Sequence, residues 1–238
     1  MAEKKDLVVK ETEALAVARV AEQDDYFSEM GNDDFNVPFT RVLADMSALV
    51  KDGTFNAGQI FNTGSGEAVD EMNVVLVKRP DKTITVKTSD GEFVGSYPFT
   101  VGKLAELTAR QEGLKRWDSE ENLVYETWNY GILNLETEEI SLCPMLSSNY
   151  SVAKAWNTRV KVQKKYAPSE MVWKLSAKEK PNGKKSFWMF NSPSFVGEVP
   201  EDKREAVAFA KEMFQTAVVD HSKGFESESD DTIEDSDF

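Results

Sequence analysis

Short stretches of alternating apolar and polar residues, separated by turn residues, occupy the middle of the chain. The longest alternating stretch is 123–135, and a further strand candidate at 140–146 follows it across a polar turn. Residues 72–78, rich in Val and Leu, also predict a strand. Alternation with a period of two predicts β-strands, and the short turns between them predict antiparallel hairpins. The aromatic residues of 123–135 suit either a core or an open stacking face, and burial is the commoner outcome.

Turn and helix signals divide the rest of the chain. Pro80-Asp81-Lys82 predicts a turn that separates the strand at 72–78 from another strand at 83–87. A short helix is expected after Pro38, just before the β-rich part. Apolar residues spaced three or four apart predict longer helices at 7–20, 100–113, 151–165 and 201–219.

The stretch from Asn149 to Phe190 is strongly basic in an otherwise acidic protein. It holds ten Lys/Arg against two acidic residues, and Tyr, Trp and Phe are interleaved among the cations. Cations follow a phosphate backbone and flat side chains stack on unpaired bases, so this combination is typical of a single-stranded nucleic-acid groove. The predicted nucleic-acid contacts are Lys154, Trp156, Arg159, Lys161, Lys164, Lys165, Trp173, Lys174, Lys178, Lys184, Lys185 and Trp188.

Each part of this stretch also has a plainer interpretation. Asn182-Gly183 predicts an ordinary β-hairpin, and lysines on its shoulders are a common protection of an edge strand against aggregation. Trp156, Trp173 and Trp188 are candidates either for base stacking or for the core. The sequence leaves both alternatives open.

Charge is distributed unevenly along the chain. The net charge is −14, yet residues 151–220 alone carry +5. This segregation favours a polyanion site accompanied by acidic tails. Cys143 is the only cysteine and His221 the only histidine, so we predict no disulfide, no catalytic residues, no metal site and no cofactor. With no apolar run long enough to span a bilayer, the protein is expected in the cytoplasm, that of the bacterial host if it is phage-encoded.

From Ser222 the chain becomes rich in Ser, Glu and Asp and ends in Phe238. An acidic segment with a terminal aromatic residue can dock in an apolar pocket with a basic rim, where its carboxylate is also captured. A tail of this kind after a β-rich body resembles the bacteriophage single-stranded DNA-binding proteins, whose domain is of the OB type. The matching residues are Asp230, Asp231, Glu234, Asp235, Asp237 and Phe238.

The resemblance implies a function for both the basic stretch and the acidic tail. The tail would recruit replication proteins, such as a polymerase or a helicase/primase, and would compete with DNA for the protein's own groove. We therefore expect an α+β protein with an OB-like antiparallel β-barrel core, peripheral helices and a disordered acidic tail. Residues 1–35 would form an acidic arm, 36–220 the nucleic-acid-binding domain and 221–238 the tail.

The expected function is non-sequence-specific binding of single-stranded DNA in replication or recombination, without catalysis, by a protein that is able to form a homo-oligomer. Two other classes of protein compete with this hypothesis. An acidic phage protein that mimics DNA would inhibit a host enzyme and bind no DNA. A metal-dependent nuclease would use some of the abundant carboxylates, but no Asp/Glu-x-Lys pair flanked by strands supports it.

Overall fold

Ten strands and three α-helices account for most of the chain that the structure describes. The structure is a computed structural model that describes residues 37–88, 93–100, 122–182 and 185–216. The helices are α1 (Ala48–Lys51), α2 (Tyr150–Val162) and α3 (Arg204–Thr216). The strands are β1 (Thr40–Val42), β2 (Ile60–Asn62), β3 (Ala68–Val69), β4 (Glu71–Thr88), β5 (Phe93–Pro98), β6 (Asn122–Asn134), β7 (Ile140–Met145), β8 (Met171–Asn182), β9 (Lys185–Phe190) and β10 (Ser194–Glu198).

Several predictions concern residues outside the described ranges. These are the helix at 7–20, nearly all of the helix at 100–113, the nucleic-acid contact Lys184 and the tail from Ser222 to Phe238.

The strands form two antiparallel sheets. In the larger sheet the order is β10-β8-β4-β6-β7, with β5 also paired to β4 and β9 to β8. The smaller sheet is β1-β2-β3. The predicted α+β class is therefore confirmed. The larger sheet curls into a half-barrel, and the described strands include no pair between β10 and β7 that closes it, so the predicted barrel is matched only in part.

The larger sheet is covered on both faces along the first half of β4. Val74 and Leu76 belong to the core cluster that includes α2, while Val75 and Val77 belong to the cluster that includes α3. All four are at most 6% exposed. A strand buried on both faces reads as a continuous apolar run, which is why residues 74–77 lack alternation.

The predicted turn at residues 80–82 is wrong, because β4 runs through it without a break. The register of β4 against β6 shifts twice, between Leu76 and Lys78 and again between Lys78 and Asp81. Such shifts mark a β-bulge, which tolerates a proline without its ladder hydrogen bond. Pro80 therefore marks a bulge inside one long strand, which we call the β4 bulge.

The predicted helix after Pro38 is also wrong, since the chain there forms β1. Thr40 and Val42 pair with β2, and the Thr40 hydroxyl lies 2.7 Å from that of Ser141 on β7. The Phe39 N–H donates to Thr63 Oγ1 over 2.8 Å, and the Phe39 ring is buried in the core. Long-range burial thus overrides the local preference for a helix.

The two predicted hairpins are confirmed. Strand β6 returns as β7, and β8 returns as β9 with Asn182 opposite Lys185. The helix predicted at 151–165 is observed as α2, which ends three residues early, because Gln163 leaves the helical region with φ −81° and ψ 82°. Asn149 precedes this helix, but its side-chain oxygen accepts a hydrogen bond from the Phe190 N–H at 2.8 Å instead of capping.

Candidate nucleic-acid interface

A basic groove lies where the β4 bulge, the C-terminal half of α2 and the middle of α3 meet. Its volume is about 320 Å³. Four cationic side chains line it: Lys78 and Arg79 from the bulge, Lys161 from α2 and Lys211 from α3. Within the described ranges no Asp or Glu lines it. We call these four cations and the space between them the basic groove.

Each wall of the groove follows from its local structure. The β4 bulge takes Arg79 and Pro80 out of the paired ladder, and a bulge of this kind re-aims side chains. On α2, Asn157, Val160 and Lys161 are spaced three and four residues apart, so they share one helix face. Lys211 follows the buried Ala210 on α3, which places it beside the edge of the packed face.

The space at the base of the groove depends on the absence of a side chain at Gly131. A Cβ built on Gly131 would lie 2.5 Å from Lys78 Cβ and 2.9 Å from the Phe214 ring. Lys78 in turn lies over the Phe214 ring, with Nζ 5.9 Å from its centroid. A glycine at this position of β6 therefore lets the bulge and α3 approach each other closely.

The groove cations are largely uncompensated. Lys78 has a carboxylate partner, Asp81, with Nζ and Oδ1 3.6 Å apart. Arg79, Lys161 and Lys211 are exposed, and none of the three makes an ion pair within the part of the chain that the structure describes. Cations held together without a nearby carboxylate attract polyanions, and phosphate is the usual ligand of such a surface.

Lys161 is the one predicted nucleic-acid contact that lines the groove. Four other predicted cations are engaged elsewhere. Lys174 pairs with Glu71 at 2.7 Å, and the Arg159 guanidinium donates to the Pro193 carbonyl. The remaining two lie over tyrosine rings, each 4.7 Å from the centroid: Lys154 over Tyr150 and Lys165 over Tyr166.

Lys164 and Lys178 are exposed, but neither belongs to the groove lining. Lys178 lies on the β8–β9 hairpin. Lys185 is the first residue of β9 in the same hairpin, and its side chain lies outside what the structure describes. The structure thus divides the basic stretch into separate surfaces, and only its helix and the segment directly after it, at Pro168 and Ser169, line the groove.

Two of the three tryptophans predicted as stacking candidates are core residues. Trp156 is 0% exposed and Trp173 is 1% exposed. The Trp156 ring stacks on Tyr130 at 4.6 Å and meets Trp173 edge-on at 6.1 Å. Neither ring is accessible to a base in this conformation, because both fill the space between the sheet and α2.

Trp188, the third candidate, is half-buried. A Cβ on Gly58 would fall 2.3 Å from its ring, so the backbone of the β1–β2 connection lies directly against the indole. Gly58 has φ +86°, a conformation that favours glycine. One face of Trp188 is therefore occupied by the protein itself.

A second cationic cluster on β4 surrounds Lys82. Its ammonium forms an ion pair with Glu126 at 2.6 Å and lies 3.9 Å from the Phe99 centroid, with the Trp128 and Tyr150 centroids at 5.7 and 5.5 Å. The Tyr150 hydroxyl donates to Glu126 Oε2 at 2.6 Å. We call this cluster the Lys82 cage.

Burial alone would lower the pKa of Lys82. The hydrogen bonds to Glu126 and Tyr150, together with their charges, outweigh burial and raise the pKa above its ordinary value. The cage thus keeps its lysine charged and supplies that charge with partners from the chain itself.

The described residues include no group of three or more His, Cys, Asp or Glu side chains placed to hold a metal ion. None of their helices is both long enough and apolar enough to cross a membrane. Cys143 is buried, and burial raises the pKa of its thiol.

One protein family, described as Pam3 phage gp34-like protein, has a model that matches residues 9–222. The chain belongs to this Pam3 phage gp34-like family. The phage origin expected from the tail is therefore confirmed at the level of the family. No curated protein and no solved structure matches the chain.

The matched region of this gp34-like chain contains every residue of the basic groove and of the Lys82 cage. The match ends where the acidic tail begins, so the tail residues Asp230 to Phe238 lie outside it.

Sequence reasoning missed Lys78, Arg79 and Lys211 as members of the site. The signal for the first two was the pair Lys-Arg at the end of a buried apolar strand, directly before the Pro80-Asp81-Lys82 segment that we interpreted as a turn. Lys211 lies on a helix with as many acidic as basic residues and carries no local signal. Only the packing of α3 against β4 brings Lys211 to the groove.

Proposed function

We propose that this gp34-like protein binds single-stranded DNA without sequence specificity, through the basic groove, in phage DNA replication or recombination. One observation carries the proposal: the exposed cations Arg79, Lys161 and Lys211 line one groove, and no Asp or Glu among the described residues lines it with them. Such cations recognise the phosphate backbone, which is common to all sequences, so they give affinity without base readout.

The sheet supports the proposal in a second way. Single-stranded nucleic acid commonly lies across a curled antiparallel sheet of the OB type. The half-barrel of β10-β8-β4-β6-β7 is compatible with an OB-like arrangement, and the groove opens at the bulge of its central strand, β4.

The acidic tail completes the proposal. Residues 221–238 carry a net charge of −6, which complements the basic groove. We infer that the tail competes with DNA for this groove and that, once displaced, Phe238 and its acidic neighbours recruit replication proteins. Electrostatic competition of this kind weakens as salt screens both partners.

The experiment that tests the proposal is a fluorescence-anisotropy titration of labelled oligo-dT, at low and moderate salt, with two proteins. One is the full chain and the other ends at Ser222. We expect binding that falls steeply with salt and that is tighter for the shortened protein, because the competing tail has been removed.

Absence of oligo-dT binding by both proteins at low salt would contradict the proposal. The DNA-mimic hypothesis would then take its place, and a basic protein partner should be sought. Equal binding by both proteins would retain the groove and remove the competing tail.

A further inference from the structure

An aromatic pair of one half-buried and one exposed ring, Tyr166 and Phe195, lies beside the basic groove. The rings of Tyr166 and Phe195 are stacked, with centroids 5.9 Å apart and planes inclined by 29°. Phe195 lies on β10 at the edge of the larger sheet and is 38% exposed. We propose that Tyr166 and Phe195 are the platform on which a base stacks when its phosphates occupy the groove. This inference rests on the function proposed above.

The platform is held rigid from below. The edge of Phe195 meets Trp173 with centroids 5.7 Å apart, and Trp173 in turn meets Trp156. Because both tryptophans are buried, Phe195 is fixed to the core by its inner side while part of its ring stays exposed. A ring held in place before binding loses little conformational freedom when a base stacks on it.

Chain connectivity puts the platform next to the phosphate site. Lys161, at one end of the segment after α2, lines the groove, and Pro168 and Ser169 at its other end line it as well. Tyr166 lies within this segment, two residues before Pro168, so the two Cα atoms are separated by at most about 7.6 Å. A strand in the groove therefore passes close to the aromatic pair.

Lys165 covers the Tyr166 ring in the absence of a ligand. Its Nζ lies 4.7 Å from the ring centroid. The hydrogen bond with Tyr166 raises the pKa of Lys165, so the side chain remains charged. Lys165 is exposed on a flexible four-carbon stem, so an arriving phosphate can draw the ammonium away and leave the ring to a base. The same residue thus protects the platform and contributes to the phosphate site.

The test compares oligo-dT with an abasic oligonucleotide of equal length, which keeps the phosphates and lacks the bases. We expect the full-length wild type to bind oligo-dT about 5- to 150-fold more tightly than the abasic strand, the range typical of one stacked base. In Tyr166→Leu and in the double variant with Phe195→Leu, this preference should shrink toward 1, while affinity for the abasic strand stays unchanged.

Matched controls are Tyr97→Leu and Phe209→Leu. These aromatic residues are 43% and 42% exposed and lie on β5 and α3, outside the pair. They should retain the wild-type preference for oligo-dT. Circular dichroism of each variant checks that the substitution leaves the fold intact, and Tyr166→Leu alone removes the stacked pair while it leaves the ring contact between Phe195 and Trp173 in place.

The outcomes separate this inference from the function on which it rests. If wild type binds the two strands equally, or if the Tyr166 variants keep the full preference, the stacking platform is wrong and the phosphate-binding groove stands. If neither strand binds, the proposed function itself fails.

Discussion

Two cationic sites lie three residues apart on the same strand and differ in every other respect. Lys82 is surrounded by the chain, with Glu126 at 2.6 Å and three aromatic rings around its ammonium. Arg79 lies in the β4 bulge, is exposed, and lines the groove together with Lys161 and Lys211. The Lys82 cage satisfies its charge internally, whereas the basic groove collects charges of one sign.

The difference separates structural charge from charge that needs a ligand. A lysine with a carboxylate and aromatic partners links neighbouring elements. Here it links the start of α2 to β4 and β6 of the larger sheet. Like charges held close together do not stabilise the fold, and their arrangement becomes favourable only when an anion binds. Substitution of the groove cations should therefore lower DNA affinity without lowering stability. Substitution in the Lys82 cage should lower stability without lowering DNA affinity.

The largest effect is expected from removal of the groove cations. The triple variant Arg79→Gln, Lys161→Gln and Lys211→Gln should bind oligo-dT about 100-fold more weakly at about 0.1 M salt, since each phosphate contact on a single strand contributes roughly 0.7 power of salt concentration. Its free energy of unfolding should stay within about 0.5 kcal/mol of wild type. Anisotropy titration and urea unfolding measure the two quantities.

A charge-matched control distinguishes the groove from the overall charge. Lys174→Gln, Lys203→Gln and Arg204→Gln also remove three cations, but these are paired with Glu71, Glu138 and Glu198. Affinity for oligo-dT should fall far less than in the groove variant. An equal loss in both variants would show that only net charge matters.

Gly131→Ala should lower both the stability of the fold and the affinity for DNA. The added methyl would meet Lys78 Cβ at 2.5 Å and the Phe214 ring at 2.9 Å. Overpacking of this kind costs about 1–3 kcal/mol of unfolding free energy, and the shifted bulge should also weaken DNA binding. Urea unfolding and anisotropy on the same variant test this. Wild-type stability would show that the bulge and α3 yield more easily than the contacts indicate.

Lys82→Met should lower stability without lowering DNA affinity. It removes the ion pair with Glu126 and the contacts with the aromatic rings, which we expect to cost about 1 kcal/mol at this partly exposed site. Urea unfolding should show the loss, and anisotropy should show unchanged oligo-dT binding. A large loss of affinity in a folded variant would mean that the cage belongs to the binding surface.

The smallest effect is the alkaline pH dependence of the same variant. The pKa of Lys82 is raised in the folded protein, so its stabilisation is complete below the ordinary value of 10.5 and fades as the pH rises through the folded-state pKa. The difference in unfolding free energy between wild type and Lys82→Met should therefore be constant from about pH 8 to about pH 10 and shrink above it. A difference that grows above pH 10 would contradict the assigned charge state.

The sequence predicted the local elements well where one signal dominated. Strong alternation and the Asn182-Gly183 turn identified the β6–β7 and β8–β9 hairpins. It failed at Pro80, because a proline in a bulge and a proline in a turn share the same local signal. Only pairing with β6, more than forty residues away in the chain, distinguishes them.

The site was only partly predictable for the same reason. Composition indicated a polyanion surface and included Lys161, which lines the groove, yet the other groove cations Lys78, Arg79 and Lys211 come from elements remote in sequence. Trp156 and Trp173 have the residue type of a stacking platform and the burial of a core. Burial depends on which elements pack together, and residue type alone does not determine it.

The central claim is that Arg79, Lys161 and Lys211 contact phosphates. The most direct test is the slope of log affinity against log salt for oligo-dT, measured with wild type, the groove triple variant and the paired-cation control. Loss of three phosphate contacts predicts a slope shallower by about 2 in the groove variant and unchanged in the control. Equal slopes in wild type and the groove variant would contradict the claim, whatever the change in affinity.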